Sequence, residues 1–375
     1  MHHIYLTFTA DAEQKFLKSK AISTLEYSIN GGEWEIIGTN TISFGGIKGD
    51  LRLRGKSSVG TNDAQISFVN ATKVACSGDI RTLVDYENYD TVDTSKAKFG
   101  NLFYNCSQLT SSPELPATNL ADNCYKSMFY RCTALTQAPE LPATTLAGDC
   151  YCYMFEGCTS LTQAPELPAT NLADWCYAYM FYDCTSLTQA PELPATNLAG
   201  NCYFFMFSGC TSLTQAPELP ATNLAEDCYY EMFSGCTALT QAPLILPATN
   251  LASECYLGMF QGCTALTQAP SILPATTLAD YCYVSMFSGC TSLTQAPELP
   301  ATNLAEDCYS HMFSGCSNLN YIKMMATDIS AEECLESWVS GVASSGTFVK
   351  NSAATWDVTG TSGIPSGWTV ETASE

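Results

Sequence analysis

Apolar and polar positions follow one phrase that is repeated along most of the chain. Its clearest copy, residues 185–207, reads TSLTQAPELPATNLAGNCYFFMF and is followed by SGC. The cysteine before the tyrosine, here called position p, recurs in steps of 26 residues, with two steps of 27. These cysteines are Cys124, Cys150, Cys176, Cys202, Cys228, Cys255, Cys282 and Cys308. A fixed period in this range predicts a solenoid, in which each repeat is one supersecondary unit stacked on its neighbours.

The second half of each repeat predicts an α-helix. Apolar or small residues occupy p−4, p−3, p, p+1, p+4, p+5 and p+8, and spacings of three, four, seven and eight are typical of one helix face. In one copy the helix would begin after Asn171, and Thr145 and Thr277 stand at the equivalent position elsewhere. Acidic residues follow three positions later and fit a capping box. They are Asp122, Asp174, Glu226, Asp280 and Glu306.

The first half of each repeat, LTQAPELPAT, predicts extended chain. Its two prolines stand three residues apart and exclude a helix. LTQA is expected to form a short strand that stacks in parallel on its copies at about 4.8 Å. Leu161, Leu187 and Leu213 should then point inward. A single coil would bury about six or seven such side chains, which only matches the entropy cost of ordering it, so the array should fold cooperatively.

The N-terminal residues 1–95 predict a small sandwich-like all-β domain. The strand-like segments are 4–9, 24–29, 34–37, 51–53 and 64–69. Asn30-Gly31-Gly32 is a good hairpin turn, because these residues tolerate positive φ. An interaction or anchoring module is the plain interpretation, since the segment carries no chemical motif.

The two ends of the solenoid predict caps. Residues 96–106 match the FxxC ending of the phrase and read as a degenerate first coil. Residues 317–342 keep the period with altered wording, and Trp338 replaces the methionine. The tail from Gly346 has two strand-like pieces around Trp356 and Trp368. The predicted organisation is a β domain at 1–95, a solenoid at 96–325, and a degenerate repeat with a β-rich cap at 326–375.

The charge distribution narrows the choice of partners. The chain of 375 residues has a net charge of −22 at pH 7. Between residues 103 and 319 the basic residues are Lys126 and Arg131 alone. Such an acidic surface repels phosphate groups, so nucleic acid and anionic membranes are poor partners. No signal peptide is visible and no apolar run reaches the ~20 residues of a membrane span, so we expect a soluble protein without membrane insertion.

Six positions of the repeat vary between copies: p−2, p−1, p+2, p+3, p+6 and p+7. They lie opposite the apolar stripe and carry Tyr, Phe, Trp, Ser, Gly and Asp, a composition typical of paratopes. We call this set of positions the variable face. The candidate ligand-binding residues on it are Tyr153, Trp175, Tyr179, Tyr182, Phe204, Phe205, Tyr230, Glu231 and Tyr281. Neutral drift at exposed positions, with some rings packing sideways on the next coil, is the alternative.

The twenty cysteines predict buried thiols rather than disulfides or a metal site. Positions p and p+8 would be up to ~12 Å apart on a helix, beyond disulfide reach, and a two-column ladder is not a four-ligand cluster. Cys152 lies off the ladder on the variable face, where it could be reactive.

Other chemistry-bearing residues give no active site. Glu140, Glu166, Glu192 and Glu218 form one column, which suits solvated surface better than a Ca²⁺ site. The histidines are His2, His3 and His311, without matched partners. We expect no catalytic residue, no metal and no cofactor.

The phrase GC-T-S/A-L-T-x-A-P-x-L-P-A-T-x-L followed by CYxxMFxGC resembles the BspA-like leucine-rich repeats of surface proteins from gut and oral bacteria. The ending GTFVKNSAATWDVTGTSGIPSGWTV resembles the tails of such proteins in Bacteroides-type bacteria and their phages. The resemblance covers about residues 100–370. It implies a right-handed α/β solenoid, an extracellular setting and binding or adhesion. No lipoprotein signal or cell-wall anchor accompanies it, which favours a phage particle. LPATN and LPATT recur inside the repeats and read as framework.

The sequence therefore predicts a non-enzymatic recognition protein. It would bind a glycan or a protein on a bacterial or host cell surface through the variable face, as part of a cell surface or of a virion. A homo-oligomer, a trimer for a phage fibre, is compatible with this. The alternative is a structural spacer whose N-terminal β domain does the docking.

Overall fold

The computed structural model describes residues 4–22 and 24–373, so His2 and His3 lie outside the described residues. The chain forms two compact units. Unit 1 contains Met1–Ala169 and Tyr179–Leu187, and unit 2 contains Thr170–Ala178 and Thr188–Glu375. None of the helices in the described part has the length and apolar character that a membrane crossing requires.

The N-terminal region of unit 1 contains two antiparallel sheets. The strands are β1 (Leu6–Thr9), β2 (Gln14–Lys18), β3 (Glu26–Ile29), β4 (Glu35–Ile36), β5 (Ile42–Phe44), β6 (Leu51–Arg54), β7 (Ile66–Phe68) and β8 (Ala75–Ser77). One sheet has the order β4-β3-β6-β1-β8 and the other β5-β2-β7. Short 3₁₀ helices span Gly46–Lys48 and Ile80–Leu83.

Aromatic side chains join the two sheets. Phe8 of β1 contacts Phe16 of β2 and Phe68 of β7, with ring centroids 5.9 and 5.5 Å apart. The hairpin predicted at residues 30–32 is confirmed: β3 pairs with β4, and Asn30 and Gly31 both have positive φ. Strands β2, β5 and β8, of five, three and three residues, were not predicted from the sequence.

The N-terminal region pairs directly with the first coil of the solenoid. Ile66 donates its backbone N–H to Leu102 O, and Val74 forms a parallel bridge with Leu109. Phe8 contacts Phe103, with ring centroids 6.1 Å apart. Residues 96–106 are thus covered on this side by the β region, which itself closes the apolar core. The predicted extents of the three domains stay predictions.

The helix predicted within each repeat is wrong. Residues from p−2 to p+7 form consecutive turns, and every fourth residue has a left-handed backbone. In one coil these residues are Asn123, Ser127 and Arg131, with φ of 61°, 54° and 53°. An α-helix rotates four-residue steps out of line by about 40° each. Turns of four residues keep the side chains at p, p+4 and p+8 aligned. The strict four-residue period of the apolar positions was therefore the sequence signal that distinguishes these turns from a helix.

Backbone hydrogen bonds explain why this chain of turns is stable. Alternate N–H groups close turns within the coil, as Met128 N does on Tyr125 O at 3.1 Å. The intervening ones donate to the next coil, as Phe129 N does to Met154 O at 2.9 Å. In unit 2, Phe205 N donates to Tyr230 O at 2.9 Å in the same way. About half of the backbone N–H groups in these turns therefore donate to carbonyl oxygens of the neighbouring coil. These bonds between coils replace the hydrogen bonds that a helix makes within itself.

The core consists of columns of identical side chains. In unit 2, Tyr203 stacks on Tyr229 and Phe207 on Phe233, with ring centroids 5.7 and 5.5 Å apart. Leu213, like the other predicted inward leucines, has no exposed surface. Each such side chain contributes about 1.5–3 kcal/mol on burial, and each contacts only adjacent coils.

All twenty cysteines of the sequence lie in the described part and are buried free thiols. The p+8 thiols donate to a carbonyl of the preceding coil, as Cys184 Sγ does to Phe155 O at 3.1 Å in unit 1. Cys236 Sγ makes the same bond to Phe207 O in unit 2. The exposed position expected for Cys152 is wrong: it is 1% exposed, and Ala178 at the same position of another coil is also buried.

The acidic residues at p−2 do not form capping boxes, since no helix begins there. The side chains of Asp122, Asp174 and Asp280 bridge coils instead. Asp122 Oδ1 accepts the backbone N–H of Gly148 at 2.9 Å, and Asp174 Oδ1 accepts that of Gly200 at 3.0 Å. The position predicted to cap the helix, p−5, forms a stack of its own: Thr277 forms a bridge with Asn250, and Asn223 pairs with Asn197 of the preceding coil through both backbone and side chain.

The LTQA segments stack in parallel, as predicted, but through single bridges rather than strands. Gln241 bridges Gln215 on one side and Gln268 on the other. The prolines that follow prevent extension of this pairing. After the repeats, near the C-terminus, continuous strands do form: β9 (Tyr321–Met324), β10 (Thr347–Lys350) and β11 (Thr369–Thr372) make a parallel sheet in the order β11-β10-β9.

Tryptophans close the core at this end of unit 2. Trp338 is fully buried and donates Nε1–H to Gly363 O at 2.8 Å. Trp368 donates to Ala343 O and Trp356 to Ala326 O. Trp338 stacks on the core ring of Tyr309, with ring centroids 6.2 Å apart, and all three indoles donate to backbone carbonyls.

Candidate functional site

The variable face is built by the turn ribbon. The nine predicted ligand-binding residues all lie on it and are all partly exposed. Unit 1 contains Tyr153, Tyr179 and Tyr182. Unit 2 contains Trp175, Phe204, Phe205, Tyr230, Glu231 and Tyr281. Positions p, p+1, p+4 and p+5 of these coils are buried, whereas the candidate side chains at p−1, p+2, p+3 and p+6 are partly exposed.

Six of these nine residues have left-handed backbones. Their φ values are 58° for Tyr153, 60° for Trp175, 55° for Tyr179, 51° for Phe205, 45° for Glu231 and 59° for Tyr281. This conformation favours Gly, Asn and Asp, and other residues cost about 1–2 kcal/mol. Equivalent positions in other coils do carry Asn123, Asp149 and Gly258. Bulky side chains therefore occupy positions where Gly, Asn or Asp would cost less conformational free energy. This argues against neutral drift.

Unit 1 holds a cluster of tyrosines. Tyr153 stacks on Tyr179 with ring centroids 4.6 Å apart, and Tyr179 contacts Tyr182 at 5.6 Å. A second stack joins Tyr104 and Tyr130 at 4.5 Å. Burial raises the pKa of Tyr153 to about 12, so its hydroxyl is a neutral donor and acceptor at physiological pH.

Unit 2 holds a larger aromatic cluster. Phe204 contacts Trp175, Phe205 and Tyr230, with centroid distances of 5.3, 4.9 and 4.7 Å. Phe205 also contacts Tyr230 at 5.5 Å. These four half-buried rings form one continuous apolar surface, which we call the unit 2 aromatic cluster.

Glu231 follows the cluster, and the space for its side chain comes from Gly258 of the next coil. A Cβ at Gly258 would stand 2.6 Å from Glu231 Cγ. Tyr281 is not brought into the cluster. It donates its hydroxyl to Glu306 Oε1 at 2.8 Å, and this bond raises its pKa to about 12.

Two sets of charged residues on the same face were missed by sequence reasoning. In unit 1, Glu156 and Asp183 lie near Arg131, and burial raises the pKa of Glu156 to about 7 against the opposing effect of that arginine. In unit 2, burial and the charges of Glu254 and Glu226 raise the pKa of Asp227 to about 6. All of these residues occupy variable positions of the repeat, so a comparison of the same position between copies could have found them.

The invariant side of unit 2 offers a different surface. A groove of about 460 Å³ runs along two adjacent coils, lined by Thr188, Gln189 and Glu192 of one and by Thr214, Gln215 and Glu218 of the other. The column of glutamates is exposed, as expected. In residues 4–22 and 24–373, no three His, Cys, Asp or Glu side chains are arranged to hold a metal ion.

The repeats identify the family. Segments 95–188, 125–267 and 176–320 match the BspA type leucine rich repeat region, in six copies. They cover more than half of the chain, which therefore belongs to the BspA-type leucine-rich repeat family. Such proteins are often associated with cell surfaces and adhesion. Neither a curated protein nor a solved structure matches the chain.

Proposed function

We propose that this protein is a non-enzymatic recognition protein that binds a cell-surface glycan or protein through the variable face. The observation that carries the proposal is the placement of Tyr153, Trp175, Tyr179 and Phe205 on left-handed backbone. Aromatic rings at these positions cost stability and remain half-exposed, so a benefit outside folding accounts for them. Rigid aromatic anchors also resemble known binding surfaces.

The experiment is binding of labelled protein to a glycan array and to intact gut bacteria. The double variant Phe204→Ala/Phe205→Ala should lose the signal, because it removes the centre of the unit 2 aromatic cluster. The matched control is Thr214→Ala/Gln215→Ala, which changes the exposed invariant surface and should bind normally. A signal that survives in the aromatic variant, or that is absent from every surface tested, contradicts the proposal.

The setting is part of the proposal. A chain that leaves the cell by lysis within a phage particle, and one displayed on a bacterial surface, both expose the variable face to other cells. A phage fibre would be a trimer, which light scattering of the purified protein measures as three times the chain mass of 40.5 kDa.

A second function is favoured by the N-terminal region. Ile36 is 74% exposed on the edge strand β4, and Ile47 is fully exposed on the 3₁₀ turn Gly46–Lys48. These side chains suit docking to a larger assembly, with the solenoid as a rigid spacer. Ile36→Asp/Ile47→Asp would then abolish attachment while Phe204→Ala/Phe205→Ala would not.

A further inference from the structure

A buried carboxylate oxygen without a partner lies beside the unit 2 aromatic cluster. Asp227 is partly exposed and has a side-chain hydrogen bond with Glu254, but its Oδ1 is buried and, within the described part of the chain, lacks a hydrogen-bond partner. Its residue begins the turn that carries Tyr230, whose backbone N–H donates to Asp227 O at 3.2 Å. A buried acceptor without a donor costs stability, so it invites a donor from outside.

The charges around this oxygen have one sign. The negative charges of Glu254 and Glu226 raise the pKa of Asp227. Those of Glu231, Glu254 and Asp227 raise the pKa of Tyr230. No lysine or arginine occurs between residues 132 and 322 to compensate them. The field over this part of unit 2 is therefore negative, and it favours a positively charged donor over a neutral one.

The neighbouring rings suit the same kind of ligand. Tyr230 and Phe204 stack with ring planes 22° from parallel, and Phe205 contacts the Tyr230 ring. Aromatic faces attract Lys ammonium and Arg guanidinium groups, and flanking apolar area accommodates their methylene chains. In a lysine or arginine side chain, the charged group would therefore contact the carboxylates and the ring faces, and the methylene chain would pack on the apolar area of the rings.

We propose that the unit 2 aromatic cluster, together with Asp227, Glu231 and Glu254, binds a lysine or arginine side chain of a basic protein segment. The inference rests on the proposed recognition function and names its ligand class. Acidic glycans would be repelled by the three carboxylates. A neutral glycan would leave their charges uncompensated.

The pH dependence follows from the same groups. Burial, Glu254 and Glu226 raise the pKa of Asp227 to about 6, and burial raises that of Glu231. A cation binds the ionised carboxylates better than the protonated ones, so affinity should rise as pH increases through 6. Tyr230 faces the same site but stays neutral in this range, because its pKa is raised further, chiefly by burial.

The test uses the full chain and a fluorescent peptide of alternating lysine and glycine, with an alternating serine and glycine peptide as the neutral probe. Fluorescence anisotropy should show binding of the lysine peptide alone. Asp227→Asn should weaken it about tenfold, as expected for loss of a charge-assisted hydrogen bond. Glu192→Gln and Glu218→Gln, on the invariant surface, are the matched controls and should change affinity less than twofold.

If the control variants weaken binding of the lysine peptide as much as Asp227→Asn does, the affinity depends only on overall charge and the inference is overturned. So would equal binding of the two peptides. The glycan-array experiment separates this from the parent proposal: if Phe204→Ala/Phe205→Ala abolishes binding to neutral glycans while the lysine peptide does not bind, recognition stands and the cationic ligand class is wrong.

Discussion

Tyr153 and Tyr179 stack face to face, with ring centroids 4.6 Å apart and ring planes 14° from parallel. Both hold φ near +55°, at 58° and 55°. Each ring therefore gains a neighbour on the adjacent coil while its backbone is strained. The stack contributes about 0.5–1.5 kcal/mol, similar to the strain of about 1–2 kcal/mol per residue, so it does not explain the choice of tyrosine by itself.

Tyr179→Asn should change the free energy of unfolding by less than about 1 kcal/mol, because relief of backbone strain offsets the lost stack. The matched control is Tyr177→Asn, two residues earlier, where the side chain is 1% exposed. That change should cost about 3–5 kcal/mol, the range for removing a buried aromatic. Urea unfolding measures both. Equal losses would make Tyr179 a structural residue and weaken the case for the variable face.

The fold should unfold abruptly at alkaline pH. Burial raises the pKa of Cys106, Cys124 and Cys158 from 9.0 to about 12, and that of Cys132 and Cys184 well above 9.0. A raised folded pKa gives stability that is present below pH 9 and lost as pH rises towards 12. Each thiol contributes about 1.4 kcal/mol per pH unit in that window. Circular dichroism and tyrosinate absorbance should show one cooperative transition.

Cys184→Ala tests the origin of this transition. The slope of stability against pH should fall by about 1.4 kcal/mol per pH unit, since one ionising thiol is removed from the unfolded state. A native protein whose thiols react with Ellman's reagent at pH 8 as fast as those of the unfolded chain would contradict the burial argument.

Asp227→Asn should stabilise the protein at pH 7. The folded pKa of Asp227 is raised from 3.8 to about 6 by burial and by Glu254 and Glu226, so its contribution to stability is present below pH 3.8 and lost as pH rises through 6. Asparagine removes the unfavourable charge and keeps the shape. Urea unfolding at pH 7 and pH 4 should show a gain at the higher pH only.

The control for Asp227 is Asp149→Asn at the equivalent position of another coil. Asp149 pairs with Lys126 Nζ at 2.7 Å, so its loss should be neutral or mildly destabilising, by up to about 1 kcal/mol. The same sign for both variants would show that asparagine, rather than the removed charge, is responsible.

Deletion of residues 1–95 should cause aggregation or loss of structure in unit 1. The deletion removes the contact of Phe8 with Phe103 and the bond from Ile66 N to Leu102 O, and so exposes the first coil. Size-exclusion chromatography and thermal unfolding measure the effect. A monomeric truncated chain with unchanged stability would mean that the β region is an independent docking domain and no cap.

Several elements could be predicted from residues alone. The hairpin at Asn30 and Gly31 follows from their tolerance of positive φ, and the buried columns at Leu161 and Tyr177 follow from strict repetition. The variable face follows from comparison of the copies. The helix was mispredicted because apolar spacings of three and four residues fit a helix and a four-residue turn equally over short segments.

The sequence by itself determined the repeat, its family, the inward residues and the candidate face, because side-chain periodicity is local and each copy restates it. Only the tertiary structure decided the backbone path. Phe129 N donates to Met154 O in the next coil, and such a bond exists only once coils stack. The turn geometry that the neighbouring coils stabilise also gives Tyr179 its left-handed backbone. The structure likewise shows that Cys152 is buried, although Phe204 and Tyr230 at the same repeat position are partly exposed.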